Sequence, residues 1–138
     1  EKAVSQVEKV FTATTESLRL ETPKKVVTGH GVDLAHFDPN GEAPEEPPRV
    51  LAVGRISPAK DPLTLLAAVS ILRSRGRELH LDLVGAGLLE SDDSLRRQVE
   101  EQVEVGGLTD CVRLPGAVGY PDVSAWYRRA TVVVNCRR

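Results

Sequence analysis

The chain has 138 residues, 41% of them apolar and 28% charged, which is the size and balance of one ordinary soluble globular domain. Its 18 basic and 20 acidic side chains leave a net charge of -2, which excludes long-range attraction to nucleic acid or to an anionic membrane surface. The apolar runs are far shorter than the roughly 20 residues of a transmembrane helix, and the charged start EKAVSQVEK resembles no signal or transit peptide, so we predict a cytoplasmic protein.

Short elements and a linker are predicted in the first third of the chain. Apolar residues at helical spacing in EKAVSQVEKVF favour a helix, and VFTAT and KKVVT each favour a short strand. Residues 29–49, GHGVDLAHFDPNGEAPEEPPR, are rich in glycine, proline and acidic residues and show no lasting period. That composition is typical of a linker.

From residue 50 onward, short apolar strands alternate with amphipathic helices. Four strands are predicted: VLAVG (50–54), LHLDLVG (79–85), CVRLPG (111–116) and TVVVN (131–135). The first helix, LTLLAAVSILRSR, has Asp61 and Pro62 as N-cap and first-turn residues and ends at Gly76.

The two later helices are predicted from apolar stripes. SDDSLRRQVEEQVEV places apolar residues four apart on one helical face, at Leu95, Val99 and Val103, and Gly106 ends it. In PDVSAWYRRA the stripe consists of Val123, Trp126, Tyr127 and Ala130. We therefore expect Trp126 and Tyr127 to be core residues rather than platforms on which a base stacks.

This alternation predicts an α/β fold with a Rossmann-like, doubly wound parallel sheet joined by right-handed crossovers. In the Rossmann strand order, strand 50–54 lies between strands 79–85 and 131–135, and the order reverses beside it. A ligand is expected at that point. The loop GRISPAKDP and the segment after Asn135 would form the two walls of the crevice.

The loop GRISPAK carries the chemistry of an anion site. Gly54 permits close approach, and Arg55 and Lys60 offer a planar fork and a compact mobile charge for phosphate oxygens. Pro58 stiffens the loop between them. The competing interpretation is that both cations are ordinary solvated surface residues.

Metal and redox chemistry are not predicted. Cys111 and Cys136 form no C-x-x-C pair, so we expect reduced structural thiols. The three histidines, His30, His36 and His80, are dispersed, and Asp33 near the first of them is more typical of a turn than of a metal site.

VGRISPAKDPLTLLAAV resembles the V-G-R-x4-K segment of the donor-binding domain of retaining GT-B glycosyltransferases, the large family often called family 4. Further segments resemble that family in the same order: VTGHGVDLAHF its linker signature, LDLVGAG its second strand and glycine turn, CVRLPGAV its next strand, and VSAWYRRATVVVN its following helix and strand. The resemblance covers residues 1–135. His30 stands where the family usually has Asn.

The resemblance implies a metal-independent glycosyltransferase that transfers a sugar from a nucleoside diphosphate donor, with retention, in carbohydrate biosynthesis. Arg55 and Lys60 would grip the diphosphate and stabilise the leaving group, without a separate cofactor. Donor-binding positions implied in the same way are Gly31, Gly54, Gly85, Gly87 and Val118, the last with Ala117 beside the nucleobase.

VGAGLLES also begins like a dinucleotide-binding fingerprint. Glu90 occupies the place of the third small residue, and the strand is the second of the sheet, which disfavours binding of NAD. Two further functions remain compatible with the sequence. One is a nucleotide-sugar epimerase of the same architecture, and the second is a noncatalytic Rossmann-like binding module.

By resemblance the domains are the end of an acceptor-side domain (1–28), an interdomain linker (29–49) and the first half of a nucleotide-sugar-binding domain (50–138). The family's glutamate pair and full acceptor domain are absent, so we expect a truncated fragment that is inactive alone. A glycan or lipid-linked acceptor and peripheral membrane contact would involve the missing part.

Overall fold

The structure is a computed structural model that describes residues 2–38, 46–87 and 90–136. The chain divides into two compact units, with the boundary between Phe37 and Asp38. That boundary falls within the range predicted as a linker, of which residues 39–45 lie outside the described residues. The assignment of residues 1–28 to an acceptor-side domain stays a prediction.

The first unit contains a short helix, α1 (Lys2–Ser5), and a pair of parallel strands, β1 (Val10–Thr12) and β2 (Lys25–Val27). Both predicted strands are therefore confirmed. The predicted helix is only one turn long, and Val10, near the end of the segment predicted to be helical, pairs with Lys25 in the sheet instead.

The second unit alternates strands and helices as predicted. Its elements are β3 (Arg49–Val53), a 3-10 turn (Pro58–Lys60), α2 (Pro62–Ser74), β4 (His80–Val84), α3 (Glu90–Val105), β5 (Val112–Gly116), α4 (Tyr120–Arg129) and β6 (Val132–Val133). The fourth strand is shorter than predicted, although the Val134 amide still donates to the Leu51 carbonyl at 2.8 Å.

The four strands of this unit form one parallel sheet in the order β5-β4-β3-β6. The expected α/β class and Rossmann-like strand order are therefore confirmed. The chain runs from β3 through β4 to β5 and then returns to the other side of β3. Since parallel crossovers are right-handed, this reversal places α4 on the face opposite α2 and α3.

The main core lies between the sheet and the helices α2 and α3. The residues that fill it are Leu65, Leu66, Val69, Leu79, Leu81, Leu83, Val99, Val103, Leu108, Cys111 and Val112. Apolar side chains from every other position of β4 and from the stripes of both helices thus close one face of the sheet. The predicted inward face of α3 is confirmed at Val99 and Val103.

The prediction for α4 was wrong in detail. Tyr127, expected in the core, is 39% exposed, and Trp126 is only half-buried. The buried residue of this helix is Ser124. The small Ser124 side chain is thus the buried position of α4, and both aromatic residues of the predicted stripe are partly exposed.

A buried ion pair joins β3 and β4. The Arg49 Nη1 atom donates to Asp82 Oδ2 at 2.9 Å, and the two side chains are 3% and 0% exposed. Arg49 was predicted to be the last linker residue, which is wrong, since it opens β3 opposite His80.

In the described part of the chain, no helix has the length and apolarity to cross a membrane.

Candidate functional site

The loop after β3 is held to the neighbouring strand by its backbone. The Gly54 amide donates to the Val84 carbonyl at 2.9 Å, and the Ile56 amide donates to the Ala86 carbonyl at 3.3 Å. Ile56 and Ser57 are buried. The end of β4 and the segment just after it therefore hold the loop on both sides of Arg55, whose side chain is exposed.

The far end of the loop is fixed by a 3-10 turn and a helix cap. The Lys60 amide donates to the Ser57 carbonyl at 2.9 Å, which closes the turn. Asp61 then adopts a left-handed conformation with φ 41°, and its carboxylate accepts bonds from the Thr64 amide at 3.3 Å and hydroxyl at 2.9 Å. The predicted cap of α2 by Asp61 and Pro62 is confirmed.

Glycines allow the carboxyl ends of the strands to approach closely. A Cβ atom on Gly85 would lie 1.8 Å from the Gly54 carbonyl oxygen, and Gly85 has φ 143°. The Gly85 amide donates to the Gly116 carbonyl at 2.8 Å on its other side. Gly85 is therefore required by the packing of backbone against backbone at this edge of the sheet.

A small cleft opens at this edge, between the loop after β3 and the segment after β6. It encloses about 30 Å³, room for one or two water molecules. Its walls are Ala52, Val53, Gly54, Arg55, Ile56, Lys60, Pro62, Leu65, Leu83, Val134, Asn135 and Cys136. The structure thus brings Arg55, Lys60 and Gly54 together at the point where the strand order reverses.

The two cations differ in their surroundings. Arg55 is exposed, whereas Lys60 is half-buried and its Nζ atom donates to Asn135 Oδ1 at 2.8 Å. An anion at the mouth of the cleft would meet the planar guanidinium of the exposed Arg55 and the ammonium of Lys60, which is already hydrogen-bonded to Asn135. The start of α2 adds little attraction for an anion, because Pro62 has no amide hydrogen and the Thr64 amide already donates to the Asp61 carboxylate.

Of the predicted donor residues, only Gly54 lines the cleft among the described residues, and Gly85, Gly87, Val118 and Gly31 do not. Gly87 and Val118 follow the ends of β4 and β5 and are both half-buried. Gly31 belongs to the first unit, where a Cβ atom would meet open space. The donor-binding roles of these four residues stay predictions.

Asn135 is the cleft residue that the sequence did not single out. It was predicted only as the end of the fourth strand, and its partner Lys60 lies 75 positions earlier. The sequence feature that could have identified Asn135 is its position: it is a polar residue at the carboxyl end of a strand beside the reversal of strand order.

Among the described residues, no three His, Cys, Asp or Glu side chains are grouped so that they could hold a metal ion. His80 instead lies beside the buried ion pair, with its Nδ1 atom 3.2 Å from Arg49 Nη2. His30 and His36 belong to the first unit.

The two cysteines are free thiols in different surroundings. Burial raises the pKa of the Cys111 thiol, and the neighbouring Asp110 carboxylate raises it further. Cys136 is half-buried in the wall of the cleft. Only Cys136 is placed to respond to a ligand in the cleft.

Residues 47–138 match the family described as glycosyl transferases group 1. The chain belongs to this family. This match confirms the resemblance at the level of the glycosyltransferase family.

Curated relatives of this member of the glycosyl transferases group 1 family carry different names. The D-inositol 3-phosphate glycosyltransferase of Paenarthrobacter aurescens is 31% identical over 112 residues, covering 75% of this chain and 27% of that enzyme. The mannosylfructose-phosphate synthase of Agrobacterium fabrum is 34% identical over 91 residues, covering 64% of this chain and 20% of that enzyme. The chain thus spans about a quarter of the length of such relatives.

Solved structures share the fold at low sequence identity. A glycosyltransferase from Rickettsia africae has a TM-score of 0.73 at 19% identity, over 94% of this chain and 38% of that one. Anabaena HepE, solved in complex with UDP and glucose, has a TM-score of 0.71 at 16% identity, again over 94% of this chain and 38% of that one. These structures support the Rossmann-like architecture described above.

Proposed function

We propose that the protein takes part in metal-independent transfer of a sugar, with retention, from a nucleoside diphosphate donor to a glycan or lipid-linked acceptor in the cytoplasm. Arg55 and Lys60 would hold the diphosphate of the donor. The observation that carries the proposal is that both cations line one cleft at the carboxyl edge of the sheet, beside the reversal of strand order.

Electrostatics favours this assignment over a pair of idle surface charges. A diphosphate carries more charge than the amides at one helix start can offset, so side-chain cations must share it. A unit charge pair at about 4 Å gains roughly 4 kcal/mol near a protein surface. Two such cations in one cleft therefore suit a diphosphate.

The same cations would act in the chemical step. As the bond between the sugar and the diphosphate breaks, negative charge develops on the leaving group. Arg55 and Lys60 would then interact more strongly with the transition state than with the bound donor, which is the condition for a faster reaction. The cations would supply the charge stabilisation that a divalent ion supplies elsewhere.

The comparisons support the donor class. The Anabaena structure of the same fold was solved with UDP and glucose, and the relatives named above carry glycosyltransferase and synthase names. By resemblance, Gly85 and Gly87 would border the donor and Val118 its base, and Gly31 is a donor-binding position implied in the same way.

The proposal is tested by titrating UDP, GDP and NADH into the full chain by calorimetry. We expect a nucleoside diphosphate to bind in preference to NADH. Arg55→Ala and Lys60→Ala should each weaken it about 10- to 100-fold, since each removes a hydrogen bond to a charged group. Arg97→Ala, which removes an exposed cation of α3, is the matched control and should change nothing.

A preference for NADH would contradict the proposal. So would equal affinities for the wild-type protein and both cleft variants. Transfer itself is assayed with radiolabelled nucleotide sugars and a panel of acceptors in a protein that also contains an acceptor-side domain, where the same two substitutions should lower kcat more than they raise KM.

A further inference from the structure

Asn135 is a polar residue of the cleft with no part in the function proposed so far. The preceding residue, Val134, still donates its amide to the Leu51 carbonyl of β3 at 2.8 Å. Asn135 is therefore anchored next to the central strand, and its side chain forms part of the cleft wall. This places its amide on the side of the cleft opposite the loop that carries the two cations.

The Lys60 side chain bridges the cleft to reach it. A Cβ atom on Gly54 would lie 3.6 Å from Lys60 Cε, so the lysine stem passes directly over that glycine. The ammonium then donates to Asn135 Oδ1 at 2.8 Å. Asn135 thus holds the ammonium of Lys60, and the 3-10 turn already holds the Lys60 backbone.

The chemistry of the partner decides what this contact does. An ammonium has three donors, and an amide oxygen uses one of them, so two remain for a ligand. The amide is neutral and leaves the full positive charge of Lys60 in place. A carboxylate at the same position would offset that charge and repel a phosphate.

We infer that Asn135 is a positioning residue that holds the Lys60 ammonium over the cleft, ready to meet the diphosphate of a nucleoside diphosphate. This inference rests on the proposed function. Holding the ammonium in advance reduces the entropy lost on binding, because a free lysine has many rotamers. The gain expected from ordering one such side chain is about 2- to 10-fold in affinity.

The test is a double-mutant cycle measured with UDP by calorimetry on the full chain. Asn135→Ala should weaken UDP binding about 2- to 10-fold in the wild-type background and have no effect in the Lys60→Ala background. Asn135→Asp should weaken UDP more than Asn135→Ala does, most strongly at low salt, where charge repulsion is least screened.

Two controls separate positioning from a general structural role. Val133→Ala shortens an exposed side chain of β6, two positions before Asn135, and should leave UDP affinity unchanged. Uridine lacks the diphosphate, so its affinity should not respond to Asn135→Ala. Asn135 is exposed, so circular dichroism and thermal unfolding should show folded variants.

The outcomes separate this inference from the function on which it rests. If Arg55→Ala and Lys60→Ala weaken UDP but Asn135→Ala does not, the positioning role is wrong and the proposed function stands. An Asn135→Ala effect that persists at full size in the Lys60→Ala background has the same meaning. If wild-type protein binds neither UDP nor GDP, the proposed function fails and the inference fails with it.

Discussion

Gly85 is the residue at which the backbone leaves least room. Its missing side chain accommodates the Gly54 carbonyl oxygen, which would lie 1.8 Å from a Cβ atom, and its φ of 143° is strained for any other residue. We expect Gly85→Ala to lower the free energy of unfolding by about 3 kcal/mol or more and to abolish nucleotide binding, because the ends of β3 and β4 must separate.

Gly107→Ala provides the matched control for this substitution. Gly107 also has a positive φ, 62°, but a Cβ atom there would meet open space. Gly107→Ala should lower the free energy of unfolding only by the cost of a positive φ for alanine, about 1 kcal/mol. Urea denaturation of both variants measures the difference, and equal losses would show that the contact with Gly54 does not matter.

The two thiols should react at different rates. Burial, with the Asp110 carboxylate beside it, raises the pKa of Cys111, so its reactive thiolate is scarce at pH 8. We expect iodoacetamide to label Cys136 at least about tenfold faster than Cys111, and UDP to slow the labelling of Cys136 in the cleft wall. Peptide mass spectrometry resolves the two sites, and faster labelling of Cys111 would contradict the packing of β5.

The same raised pKa has a consequence for stability. Above the ordinary pKa of a thiol the unfolded chain releases its proton while folded Cys111 retains it, so the unfolded state binds fewer protons. This thiol's contribution to stability is complete below that pH and is lost as pH rises through the folded-state pKa. Cys111→Ser should remove this part of the alkaline loss, which urea denaturation over a pH series measures.

Between elements, the buried pair of Arg49 and Asp82 connects β3 to β4 on the face opposite the main core. Removing one partner leaves a buried charge without its counterion, so Asp82→Leu should cost about 3–5 kcal/mol of unfolding free energy. The double variant with Arg49→Met should recover most of that loss. Chemical denaturation of the four proteins gives the coupling energy, and strictly additive losses would contradict the assignment of an ion pair.

Elements with local signals were predictable from the sequence. The apolar run of β3, the cap at Asp61 and the stripe of α3 each depend on residues within a few positions, and all three are confirmed. Arg49 was assigned to the linker because a charged residue at the end of a proline-rich run gives no local sign of burial. Its counterion lies 33 positions later, so only the paired strands reveal it.

At the scale of the whole molecule, the reversal of strand order could be predicted because right-handed crossovers leave few topologies. That rule is enough to bring the loop after β3 and the end of β6 to one crevice. It does not give side-chain directions. The contact between Lys60 and Asn135 joins residues 75 positions apart, so no local pattern in the sequence indicates it. The partial exposure of Tyr127 likewise depends on how α4 packs against the sheet.

The last prediction concerns the charge balance of the complete site. If Arg55 and Lys60 together offset the diphosphate, UDP affinity should change less than about twofold between EDTA and millimolar Mg²⁺. UDP affinity should fall steadily as salt rises, because the Debye length shrinks to about 8 Å at physiological ionic strength and both cations are accessible.

In the double variant Arg55→Ala/Lys60→Ala the salt dependence of UDP affinity should largely disappear, while Arg97→Ala should retain it. Calorimetric titrations over a salt series measure each slope. Loss of UDP binding in EDTA would show that a metal ion shares the diphosphate, whereas an unchanged slope in the double variant would show that the two cations do not contact it.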